Sequence, residues 1–209
     1  MKPPPHATKG EETRCAILDR ATSMASQVGL TGLTIGMLAN DLALSKSGLF
    51  GHFQSKDALH VQILEAAAAR FVNEVVRPAL AVPRGEPRLR ALFEGWLSWS
   101  QSRSMPGGCL FVTAAVELDD RPGPARDRLV SLQKDWLEVL ANVARSGQTE
   151  KHFRLDLDPE QLAHDIYAVM LGFHHSSRLL GDPRAPQRAH AGFESLLAGA
   201  RRADARRRK

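Results

Sequence analysis

At 209 residues, with 43% hydrophobic and 24% charged side chains, the chain has an ordinary globular composition and can bury a core without disulfides or a structural metal. No apolar run approaches the ~20 residues of a bilayer span, and the start, Met1-Lys-Pro-Pro-Pro-His6, lacks the apolar segment of a secretory signal; no membrane partner and a cytoplasmic location are expected. The formal charge of +5 resides entirely in residues 201–209, where Arg201, Arg202, Arg206, Arg207, Arg208 and Lys209 face only Asp204. The tail is therefore either a solvated end or a non-specific phosphate contact, and net charge carries no information about the N-terminal region.

Almost every segment reads at a helical period, and no convincing run alternates apolar with polar residues, so an all-α fold of about nine helices is expected. Thr8 with Glu11 forms a capping box, and Ile17, Leu18, Ala21, Met24, Ala25 and Val28 mark one face of a first helix that Gly29 stops. Thr34 caps a short second helix with Ile35, Leu38 and Ala39 inward. Residues 41–44 form a tight connection, and Ser45 caps a third helix over 46–52. Ser55 caps a fourth, with Asp57 suiting the helix dipole; its stripe is Leu59, Ile63, Ala67, Phe71 and Val75, and Pro78 ends it.

Residues 81–87 are a turn-rich break before a helix carrying Leu89, Leu92, Phe93, Trp96 and Leu97. Met105-Pro-Gly-Gly108 breaks the chain again ahead of a short apolar helix around 109–118. Beyond the loop at 119–124, Leu129, Leu132, Trp136, Leu140 and Val143 mark a helix stopping near Gly147. Asp158 followed by Pro159 opens a helix to about Leu180. The last helix runs from about Pro186 to Ala200, with Phe193, Leu196 and Leu197 apolar. Cys15 and Cys109 have no metal or redox spacing and read as buried small hydrophobes in a reducing compartment.

Three short helices, the second and third joined by a tight turn, have the geometry of a helix-turn-helix, here centred on residues 34–53. Its third helix can lie in a major groove. Thr34 and Ser45 sit at helix starts, where hydroxyls and free N–H groups can hold phosphate oxygens. Lys46 and Ser47 occupy the first turn of the reading helix. Gly48 and Gly51 keep its exposed side low at a cost of about 1 kcal/mol each relative to alanine, which points to close approach. Leu49 and Phe53 are assigned to packing of the three-helix domain.

The run from Leu33 to Leu59 resembles the N-terminal domain of the TetR family of transcriptional regulators (TetR/AcrR-like). Ser45-Lys46, His52-Phe53 and Ser55-Lys56-Asp57 fall in the family's order and spacing, and upstream Ile17-Leu-Asp-Arg-Ala21 and Gly29-Leu30 also fit. The resemblance implies Thr34 on a phosphate, Ser45, Lys46, Ser47 and Gly48 at the groove edge, and His52 and Lys56 on backbone phosphates. Phe50 stands where the family most often has tyrosine; it can pack on sugar or a thymine methyl but has no phenolic donor. Gly51 offers no side chain where some relatives place a contacting residue. Taken singly, His52, Lys46 and Lys56 read as ordinary surface groups; their joint placement favours the DNA reading.

The resemblance further implies a DNA-binding domain at 8–70 and a helical effector-binding and dimerisation domain at 71–200. The helices near 159–180 and 186–200 would pair with their copies in a homodimer on double-stranded, palindromic operator DNA, with a basic tail at 201–209. The expected function is a repressor released by a small apolar or amphipathic effector. Trp96, Trp99, Phe111, Trp136, Met170, Phe173 and His174 are candidates for lining an apolar pocket, and equally for plain core. His164 and the adjacent His174 and His175 suggest a metal, but neighbours on a helix point about 100° apart and chelate poorly. No metal and no cofactor are expected.

An enzyme reading finds no Gly-rich phosphate loop, nucleophile elbow or His-Glu metal helix. Gly107-Gly108-Cys109 suggests a thiol nucleophile only superficially, for no paired base is identifiable. A regulator controlled by a protein partner, marked by a filled core with an exposed apolar patch, is the remaining alternative.

Overall fold

Thr8 opens the first helix through the expected reciprocal cap: its hydroxyl accepts from Glu11 N at 3.3 Å, and the Glu11 carboxylate accepts from Thr8 N at 2.7 Å. The structure is a computed structural model that describes residues 8–53 and 55–202. Within them lie α1 (Lys9–Val28), α2 (Ile35–Asp41), α3 (Lys46–Phe53), α4 (Lys56–Phe71), α5 (Glu86–Ser100), α6 (Leu110–Leu118), α7 (Pro124–Thr149), α8 (Pro159–Arg178) and α9 (Ala185–Ala200). The described residues contain nine helices and no strand, only an isolated bridge between Phe153 and Arg201.

One boundary differs from the sequence expectation. Pro78 does not end α4. The helix continues through a π-helical turn, Val72–Val76, into a last α turn, Arg77–Leu80, in whose first two residues the proline's missing N–H is tolerated. Arg88 then satisfies the trailing carbonyls, donating to Leu80 O at 3.0 Å and Val82 O at 2.9 Å. α7 stops near Gly147 as expected, at Thr149; a Cβ at position 147 would overlap the fully buried Phe153 ring. The helix opening at Pro159 stops at Arg178, leaving Leu179 and Leu180 beyond it. Two burial expectations change as well: Val28 is exposed on α1, and Cys15 is only half-buried whereas Cys109 is buried.

The described residues divide into two compact units, those within 8–73 and 99–133, and those within 74–98 and 134–202. The N-terminal unit thus takes in residues beyond the first three helices. Ile17 and Ala21 of α1, Leu38 of α2, Leu49 and Phe53 of α3, and Leu59 and Ile63 of α4 form its buried centre. Phe71, Trp99 and Phe111 complete it as an aromatic cluster, with Phe71 edge-on to both partners. In the second unit α8 and α9 pack along each other, Phe93 stacks on Phe193 at 4.0 Å, and Trp96 meets Phe173 edge-on at 6.5 Å. Arg201 closes the last helix by donating to both carboxylate oxygens of Glu86.

Two buried histidines make stability depend on pH. Burial pushes His60 and His174 below the ordinary imidazole value, with the cations Lys56 and Arg178 adding to the effect. Below about pH 6.5 the unfolded chain takes up protons that the folded chain refuses, so stability falls as pH drops through that range. His190, raised by its contacts with Pro186 O and Glu94, acts oppositely, holding stability at low pH that is lost as pH rises through its folded value. His190 is nearly half exposed, so its share is the smaller. The urea midpoint is expected to fall between pH 7.5 and 5.5; a midpoint that rises on acidification would contradict this assignment.

Candidate nucleic-acid interface

The sequence between α2 and α3 folds as it does because its ends are capped locally. Thr34 Oγ1 accepts from Met37 N at 3.1 Å, and Ser45 Oγ accepts from Gly48 N at 3.1 Å. The Thr34 hydroxyl keeps its own proton to donate outward, whereas Ser45 Oγ also lies 3.3 Å from Ser47 Oγ, and either of that pair can be the donor. Between the helices Leu44 N returns to Ala39 O at 2.9 Å, and Ala43 takes a left-handed backbone, φ +52°. That conformation costs a residue with a Cβ about 1 kcal/mol. Ala43→Gly is therefore expected to raise the unfolding free energy by up to about 1 kcal/mol in urea denaturation; a loss of stability would show that the turn is unstrained.

Leu49 and Phe53, four residues apart on α3, are 0% and 1% exposed and fix which face of the helix turns outward. Lys46, Ser47, Gly48 and Gly51 are exposed beside Ser45, and His52 is half-buried with its ring against Phe53. The Phe50 side chain lies outside the described residues, as do residues 203–209 of the basic tail. A Cβ on Gly51 would meet nothing within 4 Å, and one on Gly48 would meet only Ser45 Oγ at 3.1 Å. Internal packing therefore does not explain a glycine at position 51. What the pair gives α3 is a low surface, with Gly48 in its first half and Gly51 in its second.

Gly36, which the sequence reading passed over, belongs to the same surface. A Cβ there would lie 3.5 Å from Lys46 Cε, 3.7 Å from Lys46 Nζ and 3.8 Å from Thr34 Oγ1. The Lys46 ammonium thus lies over the first turn of α2, bringing the Thr34 and Lys46 side chains to one place. The one readable signal was a glycine in a seven-residue helix. Lys56 is exposed at the start of α4, behind the Ser55 cap, and its Nζ donates to Thr31 O at 3.2 Å. Arg20 is not a free cation of this surface: its guanidinium grips Asp41, with Nε 2.6 Å from Oδ2, and holds that carboxyl below its usual range. The pair ties α1 to the last residue of α2.

The pocket candidates are all buried but fall in different units: Trp99 and Phe111 in the first, and Trp96, Trp136, Met170, Phe173 and His174 in the second. His174 Nε2 is buried without a hydrogen-bond partner. Cys109, at 1% exposure, opens α6, and burial pushes its thiol pKa up, opposite to what a nucleophile needs. No group of three His, Cys, Asp or Glu side chains among the described residues is placed to hold a metal, and no described helix is long and apolar enough to cross a membrane.

Comparison with known proteins gives this geometry a family. Residues 17–63 match the family described as bacterial regulatory proteins, tetR family, and residues 85–193 match the tetracyclin repressor-like C-terminal domain. The HTH-type transcriptional repressor DhaR of Mycobacterium sp. (strain GP1) is 23% identical over 159 residues, covering 75% of this chain and 77% of DhaR. A TetR transcriptional regulator from Chloroflexus aurantiacus superposes with a TM-score of 0.79 at 26% identity, over 91% of this chain and 94% of its own. AibR, solved with isovaleryl coenzyme A and operator DNA, shares the fold with a TM-score of 0.70 at 20% identity, over 88% of this chain and 98% of its own. Members of this family are transcription regulators and not enzymes. The chain belongs to the TetR family of DNA-binding transcriptional regulators.

Proposed function

We propose that the protein is a homodimeric repressor that holds a palindromic operator through α3 and is released by a small apolar or amphipathic ligand. The observation that carries the DNA part is the outer face of α3, where exposed Lys46 and Ser47 precede Gly48 and Gly51, and where the protein's own packing gives no reason for a glycine at 51. In this reading Thr34, His52 and Lys56 hold backbone phosphates. Ser45, Lys46, Ser47 and Gly48 meet the groove edge, Phe50 packs on sugar or a thymine methyl, and Gly51 admits the backbone.

Dimerisation through α8 and α9 is supported by the apolar residues left exposed there, Leu171 on α8 and Leu179 and Leu180 beyond it. A two-fold dimer would present its reading helices to major grooves about 34–36 Å apart. The effector is assigned to the C-terminal domain, with Trp96, Trp136, Met170, Phe173 and His174 of the second unit as its candidate contacts; Trp99 and Phe111 belong to the aromatic cluster of the first unit. DhaR is a named repressor, and AibR binds an acyl coenzyme A as well as operator DNA, which supports the ligand-controlled form of the reading.

Anisotropy titration of labelled duplexes from the DNA flanking the coding sequence tests it. Saturable, sequence-dependent binding by a species of twice the 22.9 kDa chain mass is expected. Binding that is equal on every duplex at moderate salt would contradict it.

A further inference from the structure

The turn leading into α2 is held by a residue far away in sequence. Glu117, on α6, accepts from Leu30 N at 3.1 Å and from Thr31 N at 2.7 Å, one bond to each carboxylate oxygen. Gly29 has φ +83°, and a Cβ there would overlap this carboxylate, its carbon lying 2.9 Å away. The glycine that ends α1 thus also clears the space that Glu117 fills. From the other side, the Thr31 carbonyl receives Lys56 Nζ at 3.2 Å. Leu30 and Leu33 anchor the turn in the core, and Thr34, the cap of α2, follows directly.

We propose that Glu117 is the positioning residue through which α6 sets the α1–α2 turn, and with it the pose of α2 and α3 on DNA; the role rests on the DNA-reading assignment of α3. Two successive backbone N–H groups form a small concave anion site that a carboxylate fills with both oxygens. An amide in its place has one acceptor oxygen, and an aspartate is one methylene short. The other contacts that shape the reading surface, the Thr34 and Ser45 caps and the Arg20–Asp41 pair, arise within residues 1–73. Glu117 comes from the stretch matched by the family's C-terminal domain, so it joins the DNA-reading turn to the effector-domain sequence.

Because coupling is reciprocal, operator DNA can replace the unidentified effector in a test. Hydrogen exchange is followed in the full-length protein with and without a selected operator duplex. In parallel, affinities for that duplex and a scrambled one are measured for wild type, Glu117→Gln and Glu117→Asp. In the wild type, operator binding is expected to slow exchange at the Leu30 and Thr31 amides and across residues 110–118. In both variants the α6 response is lost and operator affinity falls about tenfold. Affinity for the scrambled duplex does not fall, and the salt slope is unchanged because no cation is removed. Loss in Glu117→Asp as well as in Glu117→Gln shows that charge alone does not suffice and that two acceptor oxygens at full reach are needed.

If either folded variant keeps the wild-type ratio of specific to non-specific affinity and the wild-type α6 response, the role of Glu117 is overturned. A wild type that selects no duplex overturns the reading of α3 itself, and the Glu117 role with it.

Discussion

Gly107→Ala is expected to destabilise the protein by about 3 kcal/mol, at the upper end for overpacking a core, and to lower its Tm by about 10 °C for a chain of this size. Gly107 is buried, and a Cβ there would overlap the Ser26 backbone carbonyl of α1 and come within 2.5 Å of Gln27 N. These are backbone atoms inside a helix, so they cannot swing aside as a side-chain end could. The Gly107 N–H also donates to Ser26 Oγ at 3.1 Å in a buried site, a bond that any separation of the two segments would break. Ser26→Ala removes that acceptor without adding volume and should cost about 1 kcal/mol. A Tm for Gly107→Ala within 2 °C of wild type would show that the two backbones are not packed against each other.

The second large effect concerns DNA. Replacing Lys46 and Lys56 together by alanine is expected to weaken operator binding on the order of 100-fold at moderate salt. It should also reduce the slope of log K against log salt by about 0.9 for each phosphate that a protomer no longer neutralises. Both side chains are exposed, so the fold should hold: the Lys56 bond to Thr31 O is a surface interaction, and the Lys46 stem lies over Gly36 without filling a cavity. Stability within about 1 kcal/mol of wild type, beside a large change in affinity and slope, separates a direct role on DNA from unfolding. An unchanged salt slope would remove both lysines from the phosphate-binding set.

These two sites show what was and was not legible in the sequence. The caps at Thr8, Thr34, Ser45, Ser55 and Asp158 were readable because donor and acceptor lie within three residues of each other. The inward face of α3 was readable because Leu49 and Phe53 recur at the helical period. Gly107 read as part of a chain-breaking run and of a superficial Gly107-Gly108-Cys109 thiol motif; its real constraint is a backbone eighty-one residues away. Glu117 has no signal in the sequence, since nothing local shows that its oxygens meet Leu30 and Thr31.

Pro78 misleads for the opposite reason: it is a strong local breaker, but it falls in the first two residues of the last α turn that follows the π turn, so the helix continues. At the reading surface, His52 and Lys56 were placed by their order in the family motif. Gly36 gained its role only from where the Lys46 side chain lies.

Selection of bound sequences from a random duplex pool, carried out with the full-length protein at moderate salt, tests the central claim most directly. Enrichment of an inverted repeat is predicted, with half-sites one helical turn of DNA apart or a multiple of it, and the enrichment should be lost when Lys46 and Lys56 are replaced by alanine. A pool that shows no sequence enrichment, or one that the double substitution enriches equally well, would contradict the assignment of α3 as the helix that holds the operator.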